Sequence, residues 1–76
     1  MEKIDEDFLR SLDAGSRIFK FKKEAEDYIL YTVVSVKHAD QIELMNIFDE
    51  KEASLKVSIK ELLTNNCWYY NPEFLA

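Results

Sequence analysis

Hydrophobic and polar positions along the chain change period at residue 15, and that change divides the sequence into a helix and a sheet. Ile4, Phe8, Leu9 and Leu12 fall at i, i+4, i+5 and i+8, one face of a helix of about three turns. Asp5, Glu6 and Asp7 would occupy its first turn, where the helix dipole favours acids, and Gly15 offers a left-handed stop. The pattern therefore predicts a helix within residues 1–14. A helix this short is marginal alone, so its stripe must dock on something.

Beyond Gly15 the period is two. Arg17 to Lys22 reads as a strand, with Phe19 and Phe21 on one side and Ile18, Lys20 and Lys22 on the other. Lys23 to Asp27 is a charged turn without glycine, which predicts a loop of four or five residues rather than a two-residue hairpin. Tyr28 to Lys37 is rich in β-branched and aromatic residues. Tyr28, Leu30, Val34 and Val36 share one face of it, and Ile29, Tyr31 and Val33 the other. Apolar residues on both faces predict a long central strand, one side in a core and part of the other under the N-terminal helix. His38-Ala39-Asp40 is a turn. Gln41 to Phe48 forms a third strand, with Ile42, Leu44 and Phe48 on one face and Met45 and Ile47 on the other. Asp49 to Glu52 is a polar turn, and Ala53 to Val57 is a fourth strand with Leu55 and Val57 inward.

Ser58-Ile59-Lys60-Glu61 then matches the S-x-x-E capping box, in which the serine hydroxyl accepts the N3 amide. It opens one short helical turn carrying Leu62 and Leu63 and ended by Asn65-Asn66. Cys67 to Tyr70 is a closing strand. Pro72 takes the tail Asn71 to Ala76 out of any central strand.

This order resembles that of small Src-homology-3-like barrels of bacterial and phage genomes. The matching stretches are Gly15-Ser16-Arg17-Ile18-Phe19-Lys20-Phe21, Tyr31 to Val36, and Ser58 to Leu62. The resemblance implies a mainly β (α+β) fold: a five-stranded antiparallel barrel with an N-terminal helix and one short helical turn before the last strand. Residues 1–76 form a single domain, with the helix in 1–14, the barrel in 15–71 and a tail in 72–76. The same alternation also fits a flat sheet covered by two helices. Signalling members of the fold bind proline-rich peptides, but their A-L-Y-D-Y run is missing here, so that function does not carry over. Fold alone does not give function.

Composition narrows the functional classes. Fifteen acids oppose ten bases for a net charge of −5, which disfavours generic phosphate-backbone binding and an anionic membrane surface. No apolar run is long enough to span a bilayer, and the acidic N-terminus lacks the apolar core of a signal peptide. One cysteine and no export signal fit a reducing cytoplasm. His38 and Cys67 could pair as base and nucleophile, but their settings read as a turn and a strand start. No phosphate loop, metal spacing or cofactor motif accompanies them. The sequence is therefore read as non-catalytic, without cofactor or metal.

Three binding surfaces remain. The first is aromatic: Trp68, Tyr69 and Tyr70, with Phe74 and Leu75 in the tail, types common at interface hot spots. Alternation puts Trp68 and Tyr70 on one face and Tyr69 on the other, so one set is core and the other is free to contact a protein. The second is a basic patch, Arg17, Lys20, Lys22 and Lys23, beside Phe19 and Tyr31, suited to nucleic acid. The third is a row of acids, Glu2, Asp5, Glu6, Asp7, Asp13, Glu24, Glu26 and Asp27, which could imitate a phosphate backbone. The favoured reading is a small protein-binding module, of phage or mobile-element type, that docks on a larger host protein. Nucleic-acid binding, backbone mimicry and a homodimer are the alternatives.

Overall fold

In the computed structural model, which describes residues 1–38, 40–46, 48 and 54–75, the backbone of residues 37, 38, 74 and 75 is described but not their side chains. The elements in chain order are β1 (Glu2–Lys3), α1 (Glu6–Arg10), β2 (Arg17–Lys22), β3 (Asp27–His38), β4 (Gln41–Met45), β5 (Leu55–Ser58), α2 (Ile59–Thr64) and β6 (Trp68–Tyr70), followed by a 3-10 turn, Pro72–Leu75. All strands join one antiparallel sheet in the order β1-β6-β2-β3-β4-β5. The fold is mainly β, as the patterning predicts, but among the described residues the sheet has six strands rather than five and is not closed.

The extra strand comes from the segment expected to begin the helix. Glu2 and Lys3 pair with Tyr70 and Tyr69, and the Ile4 amide donates to the Trp68 carbonyl at 3.3 Å. Asp5 then caps α1, its Oδ1 accepting from the Phe8 amide at 2.8 Å. The helix spans five residues rather than three turns. It ends at Ser11, whose amide and hydroxyl both donate to the Phe8 carbonyl, at 3.1 and 2.9 Å. A serine bonding back to its own helix competes with continuation. The apolar positions keep their purpose: Ile4 and Phe8 are buried, and Leu9 and Leu12 pack partly against the core.

Gly15 is therefore not the helix cap. Its φ of +92° serves the turn Asp13–Ser16, and it lies five residues past the end of α1. That turn is stitched to the central strand, the Gly15 amide donating to the Val33 carbonyl and the Val33 amide to the Ser16 carbonyl, both at 2.8 Å. At the opposite end of β2, the loop Lys23–Glu26 closes with Glu26 at φ +50° and brings Lys22 opposite Asp27.

The core lies on one face of the sheet. Ile18, Tyr31, Val33, Ile42, Leu44, Val57, Trp68 and Tyr70 are buried there, joined by Ile4 and Phe8 from the N-terminus and Leu62 from α2. α1 anchors by stacking Phe8 on Tyr70, with ring centroids 4.3 Å apart and planes 11° apart. α2 starts as the capping box predicts, the Glu61 amide donating to Ser58 Oγ at 3.0 Å. It carries the chain from the β5 edge back to β6 beside β2, and Leu62 is fully buried on the way. Both helices thus serve the same face; α1 does not cover the Tyr28–Leu30 side of β3, as the pattern had suggested.

Two further expectations change. β4 ends at Met45, and Phe48 sits in a turn, 78% exposed, rather than beside Ile42 and Leu44. In β3 the register shifts between Val33 and Ser35 and again before His38, so strict alternation stops at Val33 and cannot place Val36. The readings for Ile47, the turn Asp49–Glu52 and the start of the fourth strand at Ala53 lie outside the described residues.

Candidate functional site

The cross-strand register fixes which side chains share the face away from the core, since residues directly opposite point the same way. Phe19 faces Leu30 on one side and Tyr69 on the other, Phe21 faces Tyr28, Arg17 faces Thr32, and Thr32 faces Met45. Phe19, Phe21, Tyr28 and Tyr69 therefore come from three strands onto one outer surface. Tyr28 is the hub. Its ring stands edge-on to Phe19 at 6.4 Å and 90° and to Tyr69 at 5.7 Å and 89°, and is tilted against Phe21 at 5.1 Å. Such edge-to-face geometry suits the ring quadrupoles. Leu30 continues the surface half-buried, and Tyr28 and Met45 are 38 and 46% exposed. Neither helix packs its buried residues on this face.

The aromatic run of the last strand divides as alternation requires. Trp68 and Tyr70 go into the core and Tyr69 goes out. The side chains of Phe74 and Leu75 lie outside the described residues. Tyr69 is held at the rim by its hydroxyl, which donates to the Asn66 carbonyl at 3.3 Å, while Lys3 Nζ donates to Asn66 Oδ1. Inside, the Trp68 indole N–H is buried without a hydrogen-bond partner among the described residues. Tyr70 keeps a polar outlet, its hydroxyl donating to Glu2 Oε2 at 2.8 Å. That bond, then partial burial and the nearby carboxylates of Glu2, Asp5 and Asp7, raise the Tyr70 phenol above its ordinary 10.0.

The basic patch does not assemble as the sequence suggested. Arg17 lies on the outer face with Phe19, whereas Lys20 shares the inner face with Ile18 and lies opposite Trp68. Its ammonium sits 5.5 Å from the Trp68 ring centroid, a cation–π contact that uses the charge inside the fold. Lys22 and Lys23 belong to the hairpin end. Phe19 and Tyr31, expected together beside these bases, are on opposite faces.

The acids also have local work. Asp5 caps α1, Glu2 accepts from Tyr70, Asp7 pairs with Arg10 at 3.3 Å, and Asp13 and Asp27 each accept from the next residue's amide at 2.8 Å. Cys67 is a half-buried free thiol, and the His38 side chain is outside the described residues. Among the described residues, no three histidines, cysteines or carboxylates converge as metal ligands. No described helix is long and apolar enough to cross a membrane.

The outer aromatic face was within reach of the sequence. Phe19 with Phe21, and Tyr28 with Leu30, are visible as separate pairs. Joining them needs the hairpin loop length, and a change of one residue there would move one pair to the opposite face. The described loop has four residues, Lys23–Glu26. No family model matches this chain, nor does any curated protein or solved structure.

Proposed function

We propose that this chain is a non-catalytic protein-binding module that docks on a larger protein through the outer face of its sheet. One observation carries the reading: four aromatic side chains from β2, β3 and β6 are gathered on the face that neither helix covers. Contiguous exposed apolar surface on a small domain marks an interaction site more often than chance exposure does. Tyrosine and phenylalanine bury large area with few rotors, which suits an interface. The partner surface is thus Tyr69 with Phe19, Phe21 and Tyr28, in place of the full Trp68–Tyr70 run.

The strand order β6-β2-β3-β4-β5 and the helical crossing before β6 support reading the domain as an opened barrel of Src-homology-3-like type, with β1 added at the β6 edge. A cytoplasmic setting and a bacterial or phage origin belong to the same proposal. The division of the basic residues between two faces counts against the nucleic-acid alternative, and the local engagement of the acids counts against mimicry.

The test is affinity capture from nuclease-treated lysate with the wild-type chain and with the double variant Phe21→Ser/Tyr28→Ser. A stoichiometric protein held by the wild type and lost with the variant is the expected result. Capture that is indifferent to the variant, or that disappears with nuclease, defeats the proposal. Circular dichroism of the variant controls for folding.

A further inference from the structure

The strand that carries Tyr69 onto the outer face has slender support. β6 is three residues long, and its register with β2 covers two pairs, Phe19 with Tyr69 and Lys20 with Trp68. The Phe21 amide adds a bond to the Cys67 carbonyl at 2.8 Å. On its other side β6 meets β1, where Glu2 pairs with Tyr70 and Lys3 with Tyr69. The Ile4 amide donates to the Trp68 carbonyl, which makes Lys3 and Tyr69 a non-hydrogen-bonded pair. Side chains approach most closely at such pairs, so Lys3 and Tyr69 are neighbours on the outer face.

The N-terminal segment fastens to both sides of β6. On the inner side, Glu2 Oε2 accepts from the Tyr70 hydroxyl at 2.8 Å, and Phe8 stacks on the same ring. On the outer side, Lys3 Nζ donates to Asn66 Oδ1, and the Asn66 carbonyl accepts from the Tyr69 hydroxyl at 3.3 Å. One asparagine thus ties the N-terminal strand to the ring that faces out. Tyr69 in turn stands edge-on to Tyr28, the hub of the aromatic surface. The inner anchors Ile4 and Phe8 are buried, whereas Lys3 and Asn66 are exposed. Removing the outer ties therefore takes no buried side chain with them.

We infer that Lys3 and Asn66 are positioning residues: they form a clasp that holds Tyr69 against Tyr28 and presets the β6 side of the docking face. The inference rests on the protein-binding reading above and names what controls that site. Lifting Lys3 from Asn66 loosens the face while the core stays folded. A ring already fixed has less freedom to lose on binding, so the clasp acts on affinity by preorganisation.

The test compares the wild-type chain with Lys3→Ser/Asn66→Ala. Nuclear Overhauser contacts between the Tyr69 and Tyr28 rings report the clasp in the chain alone, and the methyl shifts of Ile18 and Leu44 report the core. Capture from nuclease-treated lysate below saturation, run beside Phe21→Ser/Tyr28→Ser, reports the consequence. The ring contact is expected to weaken several-fold with the core methyl shifts unchanged. Capture of the protein that needs Phe21 and Tyr28 is expected to fall roughly three- to tenfold. A second variant, Tyr69→Phe, keeps the ring and loses its hydroxyl tie, and should give a smaller change in the same direction. A ring contact as strong as in the wild type, core methyl shifts that move with it, or capture at the wild-type level would each overturn the inference. Capture that is lost in Phe21→Ser/Tyr28→Ser but kept in Lys3→Ser/Asn66→Ala removes the clasp alone. Capture indifferent to both variants removes the protein-binding reading with it.

Discussion

Ile18 and Phe19 are neighbours on one strand, and they report two different surfaces. Ile18 is fully buried, opposite Tyr31, in a core sealed by both helices. Phe19 is half-buried on a face sealed by no helix, its ring edge-on to Tyr28. The inner face holds its side chains by burial from all sides. The outer face holds its rings mainly against one another. The difference teaches that similar hydrophobicity on the two sides of a strand can serve stability on one and recognition on the other.

The sharpest way to break that comparison is to truncate across it. Ile18→Ala or Leu44→Ala should cost about 2–5 kcal/mol, because a buried branched side chain leaves a cavity. A domain of this size holds roughly 3–5 kcal/mol in all, so either variant should be largely unfolded at room temperature. Met45→Ser on the outer face should stay within about 0.5 kcal/mol of wild type. Urea unfolding of the three variants decides it, and equal losses on the two faces would erase the distinction.

The next effect is in the backbone that positions β2 against β3. Gly15→Ala should cost about 1–2 kcal/mol. Nothing lies within 4 Å of the added methyl, so the whole loss comes from the left-handed φ. Thermal unfolding should show it, and a silent substitution would mean the turn relaxes freely.

Trp68→Phe probes the inner face at its weakest point. The smaller ring leaves space, yet it removes a buried N–H with no described acceptor, whose burial costs about 1–3 kcal/mol. The two effects oppose, so the variant should lie within about 1 kcal/mol of wild type, far from the roughly 3–5 kcal/mol of Trp68→Ala. A loss for Trp68→Phe near the alanine value would show that the indole N–H is satisfied in solution.

The smallest effect is on pH dependence at the rim, where Tyr70 leaves the core to reach Glu2. Its phenol is raised in the folded chain, so the folded state retains the proton at pH values where the unfolded chain loses it. That contribution is complete below pH 10.0 and is lost as pH rises through the folded value. Tyr70→Phe should flatten the alkaline limb of the stability profile. An unchanged limb would put its origin elsewhere.

Much of the fold was legible because local chemistry dictated it. The serine cap of α2, the β-branched central strand and the inward pair Leu55 and Val57 all follow from residue type and spacing. β1 was not legible. Glu2 and Lys3 have no strand signature of their own; they are extended because β6 presents an edge and Ile4 bonds to Trp68. The choice of inner face on β2 was equally hidden. Lys20 made the Ile18 side look polar, and only its position over Trp68 lets that side be core.

The sequence by itself determined the order of the elements from β2 to β6, the serine cap of α2 and which residues alternate together as far as Val33, because these depend on near neighbours along the chain. Tertiary structure decided which alternating set is inside, where Glu2 and Lys3 pair, and that Phe19, Phe21, Tyr28 and Tyr69 form one surface. Those outcomes depend on contacts between residues far apart in the chain, and on a four-residue loop whose length sets the register of β2 against β3.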